Sequence, residues 1–309
     1  MRKKLGRILP WAVTVCLLFY VFRMISFREM GKAIVQAPSW TVPAFIVLIF
    51  GVYLGDCFAI WKTFGWFVAR LSFREVLVVR GATYLLALVN YTVGQGAIVY
   101  FVNRSRGVPL LRGTAAVLLI MGTNILLLLI FASIGLVVAP DMPVVLRKIV
   151  FAAYGALAVY SVLLVLKPRW LTSRPIFDVL FAAGVSGHLK TVLVRVPHLG
   201  ILMMFTYTSL RAFGVEVPVS HAILYLPMIY FIGVLPIAVM GLGTTQFMMI
   251  LLLSRYVPGA AQDPSKAVAA ITAASLGSQA VALAIQATLG VFCMRNQLAR
   301  NLRQPASTT

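Results

Sequence analysis

The chain has 309 residues, 61% of them hydrophobic and 11% charged, with a mean hydropathy of +0.97. A soluble domain of this size needs far more surface charge, so composition alone reads as a polytopic integral membrane protein. The net charge of +20, from 27 Lys and Arg against 7 Asp and Glu, does not point to nucleic acid: the cations sit in small groups between apolar runs, as topology-setting residues do, and favour anionic lipid headgroups.

The start, Met1-Arg-Lys-Lys-Leu-Gly-Arg7 followed by apolar Ile8 to Val21, is shaped like a signal peptide without a small-residue cleavage site. It reads as an uncleaved anchor beginning a first span near 7–24. A second span is expected near 41–61. It holds Asp56, the one carboxylate deep inside a predicted span. An intramembrane acid costs on the order of 2.5–3.5 kcal/mol and by default marks function. Asp56 is therefore a candidate coupling position for protons or cations, or the partner of an inward-facing Arg such as Arg80. The bland alternative is an acid near enough to Trp61 to reach the interface. Gly51 and Gly55 beside it form a small-xxx-small packing face.

The next apolar run, near 81–102, is broken by Asn90-Tyr-Thr-Val-Gly-Gln-Gly-Ala97. Such breaks persist in hydrocarbon only where protein or a wet cavity satisfies the peptide groups. Asn90, Thr92 and Gln95 are polar groups at membrane depth, and Gly94 and Gly96 permit backbone that a helix forbids. They either receive a lipid phosphate or headgroup or simply cap broken helix ends. Arg104, Arg106 and Arg112 follow, suited to phosphate oxygens or to setting topology.

Further spans are expected near 113–139, with Asn124 inside, and near 149–166. The hydrophilic connection at about 167–195 reads as a short interfacial helix. Another span follows near 197–213. A second broken run, near 221–254, contains Leu235-Pro-Ile-Ala-Val-Met-Gly-Leu-Gly-Thr-Thr-Gln246. There Pro236, Gly241 and Gly243 break the helix, while Thr244, Thr245 and Gln246 open the next one, with ordinary capping or an anion-facing helix start as the two readings. The last span, near 267–292, carries Ser275, Ser278, Gln279 and Gln286, either cavity-lining or interhelical glue.

Whether the broken runs cross the membrane or dip and return is arbitrated by charge. With both re-entrant and the N-terminus inside, 19 of the 27 cations fall inside, Arg80 and Arg195 among them; full crossings split them 13 to 14. The re-entrant reading obeys the positive-inside rule. It yields an all-α bundle of about six full spans plus two hairpins, with residues 1–140 and 141–309 as two inverted repeats in one transmembrane domain and both termini cytoplasmic. Interrupted helices at matching places in inverted repeats are the best pattern-level pointer to a transport-type site.

Enzyme signatures are absent: no nucleophile elbow, zinc motif, phosphate loop or paired carboxylates appear. Cys16, Cys57 and Cys293 have no disulfide or zinc spacing, and His188, His198 and His221 are scattered, so no metal or cofactor is implied.

The two broken motifs bring a family to mind. On Asn90 through Gly96 continuing to Arg104-Ser-Arg-Gly-Val-Pro109, and on Leu235 through Gly243 continuing to Gln246, residues 5–293 resemble the flippase-like transmembrane region of lysylphosphatidylglycerol synthases, which also occurs in stand-alone bacterial membrane proteins. The family pattern is charged in the first hairpin; here Val93, Gln95, Ala97 and Tyr100 occupy that stretch, and Gln246 stands where an acid follows the second Gly-x-Gly. The resemblance implies a bacterial inner-membrane protein translocating an aminoacylated or otherwise modified phospholipid, or another amphiphile. The headgroup is then expected to touch Asn90, Gln95, Thr244 and Gln246, in a cavity exposed alternately to each side. Two alternatives stand beside it: a non-catalytic scaffold presenting lipid to a separate membrane-associated synthase or glycosyltransferase, and a small-solute transporter coupled through Asp56.

Overall fold

The computed structural model describes residues 35, 37–89, 91–138, 143–234 and 243–301. Every regular element among them is helical. Helix α1 spans Thr41–Phe67, α2 Phe73–Val89, α3 Tyr91–Arg106, α4 Leu110–Val138 and α5 Val144–Leu166. After one turn at Arg169–Thr172 come α6, Asp178–Ala212, then α7, Val219–Val234, and α8, Thr244–Leu253. Helix α9, Pro264–Thr272, passes through a π-turn at Ala273–Gly277 into α10, Ser278–Asn301.

Five stretches are long and apolar enough to cross a membrane: Thr41–Phe67, Leu110–Gly135, Val144–Leu166, Pro175–Ala212 and Pro264–Arg295. The shortest has 23 residues, about 35 Å of helix against roughly 30 Å of hydrocarbon. This is a membrane protein. The spans expected near 41–61, 113–139, 149–166 and 267–292 each fall on one of these stretches. The one expected near 7–24 lies outside the described residues.

Residues 167–195 depart from expectation. Most of this stretch is not a connection but the first half of α6, which runs for 35 residues with a kink where Gly184 adopts φ 55 and ψ −170. Part of the reason is burial: His188, Thr191 and Arg195 lie inside the protein and face neighbouring helices, whereas Lys167, Arg169, Arg174 and Lys190 stay exposed.

The chain forms two compact units, each drawn from both halves of the sequence. One comprises Ile49–Leu126, Tyr154–Gly200 and Ala282–Thr309. Its core packs Cys57 and Phe64 of α1, Val79 of α2, Val102 of α3, Ala116 of α4 and Val179 of α6. Within it α2 and α3 form a helical hairpin with only position 90 between the arms. At the tip Gly94 lies so close to α2 that an added Cβ would stand 2.7 Å from Ala87 Cβ. At the mouth Arg106 Nη2 donates to both Glu75 oxygens, at 2.7 and 3.0 Å. The chain thus returns to the end it left. Arms of 17 and 16 residues are about 25 Å long, deeper than half a membrane.

The expected site of the first break is corrected by one detail. Gly94 and Gly96 both sit inside α3, neither with positive φ; α2 ends at Val89 and α3 begins at Tyr91, with position 90 outside the described residues. Gly94 serves close helix approach, and Gly96 faces open space with nothing within 4 Å of an added Cβ.

The other unit comprises Met1–Leu48, Leu127–Ala153 and Ile201–Val281. Phe45 meets Phe205 edge-on at 5.1 Å, and Met228, Ile229, Leu253 and Ile271 are fully buried. Helices α7 and α8 form a second hairpin. Near its tip an added Cβ on Gly233 would stand 2.6 Å from Thr245 Oγ1. At its mouth Arg255 donates to the Tyr225 hydroxyl and lies 5.0 Å from the Tyr256 ring. The π-turn is held by Ser209 Oγ, which donates to the Ala274 carbonyl at 2.6 Å.

Candidate functional site

Asp56 is 4% exposed, enclosed by neighbouring helices. Each of its oxygens accepts from a different guanidinium: Arg80 Nε from α2 on Oδ2 at 2.6 Å, and Arg195 Nη1 from α6 on Oδ1 at 2.6 Å. Arg195 Nη2 also donates to Asn124 Oδ1 of α4 at 3.1 Å. The carboxylate thus joins α1, α2 and α6, and Arg195 extends the network to α4 of the same unit.

The sequence builds this junction from neighbouring positions. Gly55 gives α6 its close approach, since a Cβ there would stand 2.8 Å from His198 Cα. One turn back, His198 Nδ1 donates to the Val52 carbonyl at 3.0 Å and fixes the register of α6 on α1. Arg195, three residues before His198, is then carried to Asp56. On α2, the Tyr53 hydroxyl donates to the Leu77 carbonyl, and the Arg80 guanidinium lies 5.0 Å from the Tyr84 ring centre. Ring faces attract cations, which eases the burial of Arg80.

Among the described residues, two guanidiniums face one carboxylate in the cluster, an excess of positive charge inside the membrane protein. Among the described residues Arg195 Nε finds no acceptor. The adjacent void, lined by Arg80 with Ile60, Val76, Val79, Ile98 and Val102, measures about 10 Å³. That is space for one water and not for a headgroup. The cluster is a mechanical and electrostatic junction, closed in this conformation.

The other predicted site residues divide into those engaged within the protein and those presented outward. Gln246 is buried and spends its side-chain oxygen on the Gly243 backbone N–H, at 2.8 Å. It caps α8, and Gly243 supplies the required φ of +83. Thr244 is buried and Thr245 packs by Gly233. Arg106 is bound to Glu75. Asn124 is taken by Arg195. Gln95 and Gln279 are half-buried. By contrast Gly96, Tyr100 and Arg104, spaced four apart, share an exposed face of α3, with Tyr100 61% exposed. Asn90, Pro236 and Gly241 lie outside the described residues, as does the side chain of Thr92.

Two participants escaped the sequence reading. The charge pattern groups Arg195 with cytoplasmic loop cations, although it stands three residues before His198 on the helix that contains Gly184 and Pro197. Glu75 was also passed over, although Ser72-Phe-Arg-Glu75 is a capping-box pattern. Ser72 N donates to Glu75 Oε2 at 2.7 Å and Glu75 N donates to Ser72 Oγ at 3.2 Å. The Ser72 backbone N–H, with Arg106 adding to it, holds the Glu75 carboxyl below the usual carboxylate range.

Comparison with protein-family models, with curated proteins and with solved structures gives no match to this chain.

Proposed function

We propose that this is a bacterial inner-membrane protein of flippase-like architecture that translocates a phospholipid or another amphiphile, with both hairpins dipping into the membrane and both termini cytoplasmic. The observation that carries this reading is the buried cluster of Asp56, Arg80 and Arg195. Charge at membrane depth is costly and is kept where a translocation path or a conformational switch uses it. Arg80 makes the first hairpin one party to the cluster, so any displacement of that hairpin must exchange ion pairs. Resemblance of the hairpin segments to the transmembrane region of lysylphosphatidylglycerol synthases supports lipid as cargo.

Leaflet exchange of labelled lipids in proteoliposomes tests the proposal. The protein should accelerate exchange of at least one lipid class, and Asp56→Asn should slow it roughly tenfold or more, equivalent to about 1.4 kcal/mol in the barrier. Anionic, cationic and polyprenyl lipids all moving at the protein-free rate would sink the idea.

One observation favours the scaffold reading. Gln246 and Arg106 are already consumed by internal bonds, which leaves fewer polar groups for handling a headgroup. A scaffold would retain co-purifying lipid while wild type and Asp56→Asn both leave exchange unaccelerated. Solute coupling through Asp56 fits less well, because both carboxylate oxygens already accept from guanidinium donors and neither can take a proton without breaking an ion pair.

A further inference from the structure

We infer that the mouth of the first hairpin is a binding site for an anionic phospholipid, its phosphate held by Arg70, Arg74 and Arg104 and an acyl chain lying along the Gly96–Tyr100 face of α3. The inference does not need translocation, since a scaffold would bind the same lipid.

The mouth is a defined place. Arg106 joins the end of α3 to Glu75 at the start of α2, and its Nε donates to the Arg70 carbonyl at 3.3 Å. Arg112 donates to the Phe67 carbonyl at 3.4 Å and pairs with Asp178 at 3.5 Å, which brings the ends of α1, α4 and α6 to the same level. Among the described residues, the two acids at this level, Glu75 and Asp178, are already spent on Arg106 and Arg112. Arg70, Arg74 and Arg104 are exposed, and none of the three is paired among the described residues. Among the described residues their charge has no local counter-ion.

The chemistry below the cations is that of a lipid tail. From Arg104 the exposed face of α3 runs through Tyr100 to Gly96, where nothing lies within 4 Å of an added Cβ, and then to Val93. Cation, aromatic hydroxyl, open notch and apolar side chain follow one another in the order in which a phospholipid presents phosphate, glycerol and hydrocarbon. Trp66 and Trp170, 44% and 67% exposed, stand at the same end and mark it as an interfacial level. Arginine near a membrane surface gains from anionic lipid, and its fork matches phosphate oxygens. The fixed Arg106–Glu75 pair is the frame that holds the neighbouring cations in position, and it is not itself the ligand contact.

The test is thermal unfolding of the purified full-length protein in neutral detergent, titrated with phosphatidylglycerol, phosphatidylcholine or inorganic phosphate. Phosphatidylglycerol should raise the melting temperature well beyond phosphatidylcholine. Inorganic phosphate should not, because it lacks the chain that uses the Gly96–Tyr100 face. Replacing Arg70, Arg74 and Arg104 together by Gln should weaken the apparent affinity for phosphatidylglycerol by roughly tenfold to a hundredfold. Neutralising Lys148, Arg211 and Lys266, exposed cations of the other unit, should leave it intact. Should the triple variant not fold, single Gln variants and raised ionic strength on the wild type read the same site. Equal stabilisation by inorganic phosphate, or an equal loss in the Lys148/Arg211/Lys266 variant, would overturn the inference.

Discussion

Asp56 is one counter-ion shared by two guanidiniums, and that ratio sets an order among substitutions. Removing Arg195 leaves Asp56 paired with Arg80 and balances the local charge. Removing the carboxylate takes an ion pair from Arg80 and strands Arg195, whose Nε already finds no acceptor among the described residues. Breaking a buried pair so that charge is stranded costs about 3–5 kcal/mol. Asp56→Asn should therefore lower the unfolding temperature in detergent clearly more than Arg195→Gln or Arg80→Gln. If either arginine variant proves the more damaging, the shared counter-ion account fails, and Arg195 or Arg80 must be held chiefly by its other contacts, Asn124 and the Tyr84 ring.

At the level of helices, two glycines only two residues apart, Gly94 and Gly96, do different jobs. Gly94 is a contact surface: a Cβ there would already stand 2.7 Å from Ala87 Cβ and 3.0 Å from Ala87 Cα. Gly94→Leu should open the hairpin tip, costing about 1–3 kcal/mol or more. Gly96→Ala meets open space and should be neutral or slightly stabilising, since alanine is the better helix former by up to about 1 kcal/mol. Thermal melts of the two variants check the contrast, and equal damage from both would refute the packing role given to Gly94. This pair also shows what the sequence could reveal. Two interrupted apolar runs were legible, and each became a helical hairpin closed by an arginine at its mouth, Arg106 in one and Arg255 in the other. The location of the first interruption was not legible, because glycine signals both irregular backbone and close approach, and only the neighbouring helix decides between them. Arg195 was hidden for a similar reason: a cation between apolar runs looks like a loop charge until its acid, 139 residues away, is brought beside it.

For the molecule as a whole, the basic mouth of the first hairpin offers a test of the proposed orientation. Tyr160 of α5 bonds His188 of α6 at 2.7 Å, so the end of α5 and the start of α6 lie at the same level as the Arg112–Asp178 pair. Cysteines introduced at Ser105 and Lys167 in a cysteine-free background should therefore both react with an impermeant thiol reagent from one side only, and by charge that side is the cytoplasm. Labelling from opposite sides would dismantle the arrangement. Placing Arg80 and Arg195 inside the protein takes both out of the cations assigned to cytoplasmic loops; the asymmetry keeps its sign without them.

The long separation between Asp56 and Arg195 also orders events during synthesis. A segment carrying His188, Lys190 and Arg195 is a poor candidate for leaving the insertion channel alone, because a lone arginine in hydrocarbon is unfavourable by about 3 kcal/mol or more. The ribosome makes α1 and its carboxylate well before it makes α6, so the acid is already waiting in the bilayer when the cation emerges. Arg80 of α2 is made early too and takes one carboxylate oxygen, so the late helix brings Arg195 to the oxygen that remains.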